Sequence, residues 1–291
     1  MNRRIWHVVA AILFVLPPAV FAVNPLHRDG AFTLKDSYPS LYAPGGAYAK
    51  AVPVAVEFSL TYDKLGNDSL LSPEIDLTAS VIDSLDITLA VPYLFTRAHT
   101  LDGIDNENGL SDAEIDAVWQ VFSTKQNNKE DDKNTFAVSL NPALVLPTGS
   151  KSKGLGDGIA SFRVGPSASE NIIFRKKDTL VLQANVAFQT AIQKSGGDLK
   201  DLIFYSIGGT YHFWPGLDNL KVYAQVRGHT SAIRGSDSHT ILALLGFDYS
   251  FKKDPKQTNY WQLDVVVARR LTTLGPDYGA VLDIVYNFNA F

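Results

Sequence analysis

From Val52 to Tyr62 every second residue is apolar. Val52, Val54, Val56, Phe58, Leu60 and Tyr62 share one parity, while Glu57, Ser59, Thr61 and Asp63 share the other. Successive side chains of a strand point to opposite faces, so this segment folds as a strand with one apolar and one polar side. Residues 52–63 number twelve, and a tilted strand crosses a bilayer in about 9–11.

The alternation recurs along the chain. Ile75, Leu77, Ala79 and Val81 oppose Glu74, Asp76, Thr78 and Ser80. After a tight turn at Ile82-Asp83-Ser84, Leu85, Ile87, Leu89, Val91, Tyr93 and Phe95 oppose Asp86 and Thr88. Further strands are expected at 112–122, 135–147, 157–168, 178–192, 201–213, 220–230, 239–251, 260–270 and 278–288, twelve in all and about 20 residues apart. Beyond residue 28 no stretch has a helical period.

Composition removes most alternatives. At 46% hydrophobic and 19% charged the chain is no disordered polymer, and a mean hydropathy of +0.00 excludes a bundle of membrane helices. Without cysteine there is no disulfide, thiolate metal site or lipid-anchor cysteine. A net charge of −4 and a pI of 5.8 argue against a nucleic-acid partner.

Residues 1–22 read as a secretory signal peptide. Arg3 and Arg4 precede an apolar core from Ile5 to Leu16, Pro17 and Pro18 break it, and Val20 and Ala22 fit the small-residue cleavage rule. Export, strand length, parity and even strand count agree on an all-β fold, a transmembrane antiparallel up-and-down β-barrel of 12 strands in the bacterial outer membrane. A secreted β-sandwich also alternates, but it needs turn signals every 8–12 residues.

With both barrel ends at the periplasm, connectors near 64–70, 97–111, 148–156, 193–200, 231–238 and 271–277 are expected outside. Those near 82–84, 124–134, 169–177, 214–219 and 252–259 are expected on the periplasmic side. That orientation gathers Trp119, Trp214, Trp261, Phe136, Phe213, Phe251 and Tyr260 into a periplasmic girdle. Residues 51–291 form the barrel in this reading, and 23–50, broken by prolines and glycines, are a leader or a plug for its mouth.

Two segments share a pattern, Gly109-Leu110-Ser111-Asp112 and Gly154-Leu155-Gly156-Asp157. The second follows Leu146-Pro147-Thr148-Gly149 through a Gly/Ser/Lys loop and leads into Gly158 and the next strand. This arrangement resembles the outer-membrane protein family associated with the meta-cleavage pathway of phenol degradation. The resemblance implies an outer-membrane barrel and uptake of hydrophobic compounds. The same glycines lack the strand-then-helix context of a nucleotide loop. The chain ends on Phe291, yet the apolar parity of the last strand is Leu282, Ile284, Tyr286 and Phe288, so Phe288 is the terminal signal or a bulge shifts the register.

Ionisable residues on the polar parity are the candidate lumen lining. Early strands carry only acids: Glu57, Glu74, Asp76, Asp86, Glu114 and Asp116. All the bases fall later: Arg163, Lys221, Arg227 and Arg270. Such segregation predicts an acidic first third facing a mixed or basic wall. That wall either sets a transverse field in a wet pore or braces a lumen closed by salt bridges. The five mature histidines show no metal-ligand spacing, and His212 and His229 fall on the inner parity, away from any lipid-facing Ser–His pair. The expectation is a passive channel for small, partly hydrophobic solutes, aromatic ones among them. It is not an enzyme and has no cofactor or metal. Its partners are outer-membrane lipid, its solutes and the outer-membrane assembly machinery. The rivals are a structural barrel plugged by its own ion pairs and, more remotely, a barrel-embedded lipid hydrolase.

Overall fold

A computed structural model describes residues 54–288 apart from 83, 101–102, 125–134, 154, 157, 175–177, 193–200, 214–218, 232–238, 253–258 and 273–276. The signal peptide, the 23–50 segment and residues 289–291 lie outside the described residues.

Thirteen strands follow in order: β1 (Val54–Leu65), β2 (Asp68–Ile82), β3 (Leu85–Thr100), β4 (Gly103–Leu110), β5 (Ala113–Ser123), β6 (Thr135–Leu146), β7 (Ser161–Phe174), β8 (Asp178–Ala191), β9 (Leu202–His212), β10 (Leu220–Ser231), β11 (His239–Ser250), β12 (Tyr260–Arg270) and β13 (Tyr278–Phe288). All pairings are antiparallel, and β13 pairs with β1 from Val54↔Phe288 to Lys64↔Tyr278, so the sheet closes on itself. Closure satisfies the backbone without water, which a lipid-embedded sheet requires.

The barrel has twelve staves because β4 and β5 share one. The first half of β3, Leu85–Ala90, pairs with β5, and its second half, Tyr93–Thr100, pairs with β4. The expected loop at 97–111 is therefore a hairpin, with the chain broken at Ser111-Asp112. Its sequence, Gly-Ile-Asp-Asn-Glu-Asn-Gly-Leu, is rich in poor strand formers. Pairing with the far end of β3, above the apolar belt, makes it a strand. A second shift concerns β7, expected from 157 and observed from Ser161. Gly158 there has a φ of +67°, a turn conformation that ends the loop before the ladder begins.

Parity is as the alternation requires. Phe58, Ile75 and Leu77 face outward at 47%, 56% and 47% exposure, whereas Ser59 and Thr61 face inward at 0%. So many large apolar side chains turned outward mark a lipid-facing belt. Bulges at Ser80/Ile82 and Gln120/Phe122 shift the register, and the second turns Val121 and Phe122 both outward.

Aromatic residues ring the end where the barrel's own termini, Val54 and Phe288, meet. Trp261 packs on Tyr286 with ring centroids 4.6 Å apart, Tyr286 on Phe288 at 5.7 Å, and Phe122 on Phe136 at 6.4 Å. Phe213 and Phe251 join through edge contacts with Tyr211 and Tyr249, each at 5.0 Å. Trp119 is half exposed on the outward face; Trp214 lies outside the described residues. Tyr260 departs from the expected girdle. It has the inner parity of Gln262 and sits beneath Lys252 Nζ, 3.8 Å from its ring centre. Phe288 ends the outward parity of β13.

Candidate functional site: the inner wall and the mouth

Cross-strand register strings the inner acids into rows. Asp248, Asp264 and Asp283 stand directly opposite one another on β11, β12 and β13, and the row continues through Ser59 to Glu74. One step toward the terminal end run Gln262, Val285, Glu57, Asp76, Ala90 and Glu114. Like charges placed opposite destabilise a sheet unless something offsets them. Lys221 Nζ reaches Asp248 Oδ2 at 2.5 Å, and Gln262 Nε2 donates to Asp248 and Asp264, each at 3.1 Å. The Ser59 hydroxyl donates to Asp283 at 2.5 Å.

Ring closure thus alters the expected charge map. The late acids of β11–β13 adjoin the early acids of β1 and β2, so one acidic wall crosses the seam. Lys221 belongs to that wall rather than facing it. Arg270 lies on β12 at the rim away from the termini and pairs with Asp277, whose other oxygen accepts the Gly66 N–H at 2.6 Å. Arg163 pairs with Glu114 across β6, its guanidinium 5.6 Å from the Phe204 ring centre. Arg227 is 1% exposed, opposite Ser206 and Leu242. Asp86 accepts the Ser80 hydroxyl at 2.6 Å near the terminal end, and Asp116 stands opposite Thr88 and Ala143. All ten candidate residues have the inner parity. Arg163, Lys221 and Arg270 each pair with a nearby acid rather than facing it across the barrel.

The polar parity also hides an apolar strip. Tyr223, Leu242, Leu244, Val266, Ala268 and Val281 form one buried cluster on the inner faces of β10–β13. Sequence did carry a signal for it. Ile241-Leu242-Ala243-Leu244-Leu245 and Val265-Val266-Val267 are unbroken apolar runs, the mark of a strand covered on both faces. His229 lies beside the strip, its ring 5.8 Å from Phe204.

At the opposite end the β6–β7 connector folds into the mouth, and the two Gly-Leu motifs meet there. Thr148 Oγ1 accepts the Ala113 N–H at 2.8 Å and donates to the Ser111 carbonyl at 2.7 Å. It thereby supplies partners for backbone groups at the β4–β5 break. Asp112 accepts the Gly149 N–H at 2.9 Å. Leu155 is 1% exposed and packs on Leu70 and Leu94, inner-facing residues of β2 and β3. Glycine makes room on both sides of this contact. A Cβ at Gly109 would lie 2.8 Å from Leu155 Cδ1, and one at Gly156 would lie 2.3 Å from Asp112 Oδ1. Gly154 and Asp157 lie outside the described residues.

These features decide the affiliation. The family described as "Putative MetA-pathway of phenol degradation" matches residues 74–278. The chain belongs to that family. Among solved structures, the COG4313 outer membrane channel from Pseudomonas putida F1 superposes with a TM-score of 0.53 at 14% identity, over 81% of this chain and 94% of that one. The KdgM porin matches at a TM-score of 0.46 and 9% identity, over 80% of this chain and 99% of its own. The NanC porin does so at 0.46 and 10%, over 81% and 98%. At 14% identity, what the COG4313 channel shares with this chain is the fold, a closed barrel. The sequence matches no protein of curated function.

Proposed function

We propose that this family member is a passive outer-membrane channel admitting small, partly hydrophobic solutes, with the aromatic-ringed terminal end at the periplasm. The observation that carries the reading is the closed twelve-stave barrel with a charged and partly accessible inner wall. The apolar strip of Leu242, Leu244, Val266 and Val281 lies beside the acidic row of Asp248, Asp264 and Asp283. On the same inner face Lys221 and Arg270 keep 28% and 24% of their side chains exposed, as a water-filled lumen requires. The name of the COG4313 outer membrane channel supports the same class of activity.

A specific observation favours a second reading. Many inner side chains are buried, Val266 at 0% and Arg227 at 1% among them, as in a barrel filled by its own residues. Planar-bilayer recording separates the two. Discrete conductance steps that an aromatic solute such as phenol partly blocks support the channel; silence from a correctly folded barrel supports the filled one. A lipid-hydrolase reading would need phospholipid turnover by purified protein, lost on replacing a single Ser or His.

A further inference from the structure

The rim opposite the termini carries an outward-facing row that transport does not use. Following the register, Arg269 on β12 stands opposite Tyr278 on β13, which stands opposite Lys64 on β1. Lys64 stands opposite Ser69 on β2, Ser69 opposite Arg97 on β3, and Arg97 opposite Asn106 on β4. All six have the parity of the lipid-facing belt, as the outward exposure of Tyr62, Phe95, Val267 and Leu282 on the same strands shows. One step nearer the terminal end the same face reads Val267, Ala280, Tyr62, Leu71 and Phe95. The cations therefore sit where apolar belt gives way to headgroup, and alternate staves space them about 10 Å apart.

The acids of these strand ends turn the other way. Asp63, Asp68, Asp105 and Glu107 have the inner parity, and Asp277 is held by Arg270 and the Gly66 N–H. No carboxylate among the described residues pairs with Arg97 or Arg269. Lys64 Nζ gives one hydrogen to the Asn67 carbonyl at 2.8 Å, leaving two. Guanidinium forks match phosphate oxygens two at a time, the Tyr278 and Ser69 side chains add neutral donors between the cations, and Asn106 adds one beyond Arg97.

We propose that this row binds the phosphorylated headgroup of an outer-leaflet glycolipid, with the acyl chains lying on the apolar belt beneath it. The test is equilibrium binding of diphosphoryl lipid A to the full purified chain in detergent, counted by native mass spectrometry. Ion conductance is not its readout, so its failure is distinct from failure of the channel reading. Lys64→Gln/Arg97→Gln/Arg269→Gln should weaken binding about a hundredfold, at roughly fivefold per cation, and heat-modifiable gel mobility should report the same folded barrel. Lys151→Gln/Lys153→Gln, in the mouth loop, should change nothing. Should the triple variant fail to fold, Arg97→Gln and Arg269→Gln alone must each weaken binding about fivefold. Equal binding by variant and native chain overturns the proposal, and so does equal binding of dephosphorylated lipid. Complete displacement of lipid A by inorganic phosphate would assign the row to a free anion and overturn it as well.

Discussion

Leu155→Ala should release the mouth loop without unfolding the barrel. Leu155 is 1% exposed and rests on Leu70 and Leu94, with Gly109 cleared to admit it. Removing that contact forfeits about 2–3 kcal/mol of apolar burial and packing. The cost falls on docking, because the strand ladders hold the rest of the wall. An open population rises tenfold for each 1.4 kcal/mol, so loop amides should exchange about 30- to 150-fold faster. Hydrogen exchange read by mass spectrometry supplies the assay, with peptides over 147–156 compared against peptides in β8–β13. The exposed Lys153–Glu107 pair, 3.5 Å apart, gives an internal contrast. Lys153→Ala should change loop exchange little, since such pairs contribute about 0–1 kcal/mol. If Leu155→Ala leaves the protection of Gly149 intact, the leucine is no anchor and the hydrogen bonds of Gly149 and Thr148 hold the loop.

Three further outcomes are expected. Leu89→Arg, at an outward position 40% exposed, should impair assembly by about 2–4 kcal/mol, whereas Arg at the adjacent inner Thr88 should be tolerated; yields of folded barrel in vesicles decide it, and equal responses defeat the parity assignment. Glu74→Gln/Asp76→Asn/Asp86→Asn should shift the reversal potential in a salt gradient toward anions, because the acidic wall loses three charges; a lower melting temperature with unchanged selectivity would favour the filled barrel. Ser152→Cys should react with an impermeant thiol reagent on whole cells and Ser84→Cys should not; the reverse labelling inverts the proposed orientation.

Strand positions and facing were legible because a half-buried strand writes its environment at period two, as Ile75/Asp76 and Leu282/Asp283 do. β4 was illegible for the converse reason. Outside the apolar belt neither face selects hydrophobic residues, so Asp105-Asn106-Glu107-Asn108 reads as loop while β3 holds it as strand. Tyr260 shows a related limit: an aromatic at the expected height serves either face, and only parity tells which. The ten inner charges could be assigned a face from sequence. Their neighbours could not, because parity fixes a side chain's direction and closure fixes what stands beside it. Asp248 and Asp264 come late in the chain, yet the pairing of β13 with β1 sets them in one row with Glu74. The inner apolar strip was present as unbroken runs in β11 and β12, where a second buried face cancels the alternation that flags the first.

The seam has a consequence for how the barrel comes into being. Ser59 and Asp283 meet across β1 and β13 although 224 positions separate them, and every rung of that ladder is comparably distant in the chain. Contacts so remote cannot form while intervening strands are missing, so closure comes last in assembly. Until then both margins expose unpaired backbone, and each carries carboxylates, Glu57 on one and Asp283 on the other. The final zippering therefore brings like charges together, and the Ser59 hydroxyl donates to Asp283 across the junction. Damage at this junction would register first in how fast and how completely barrels mature, well before it registered in what passes through them.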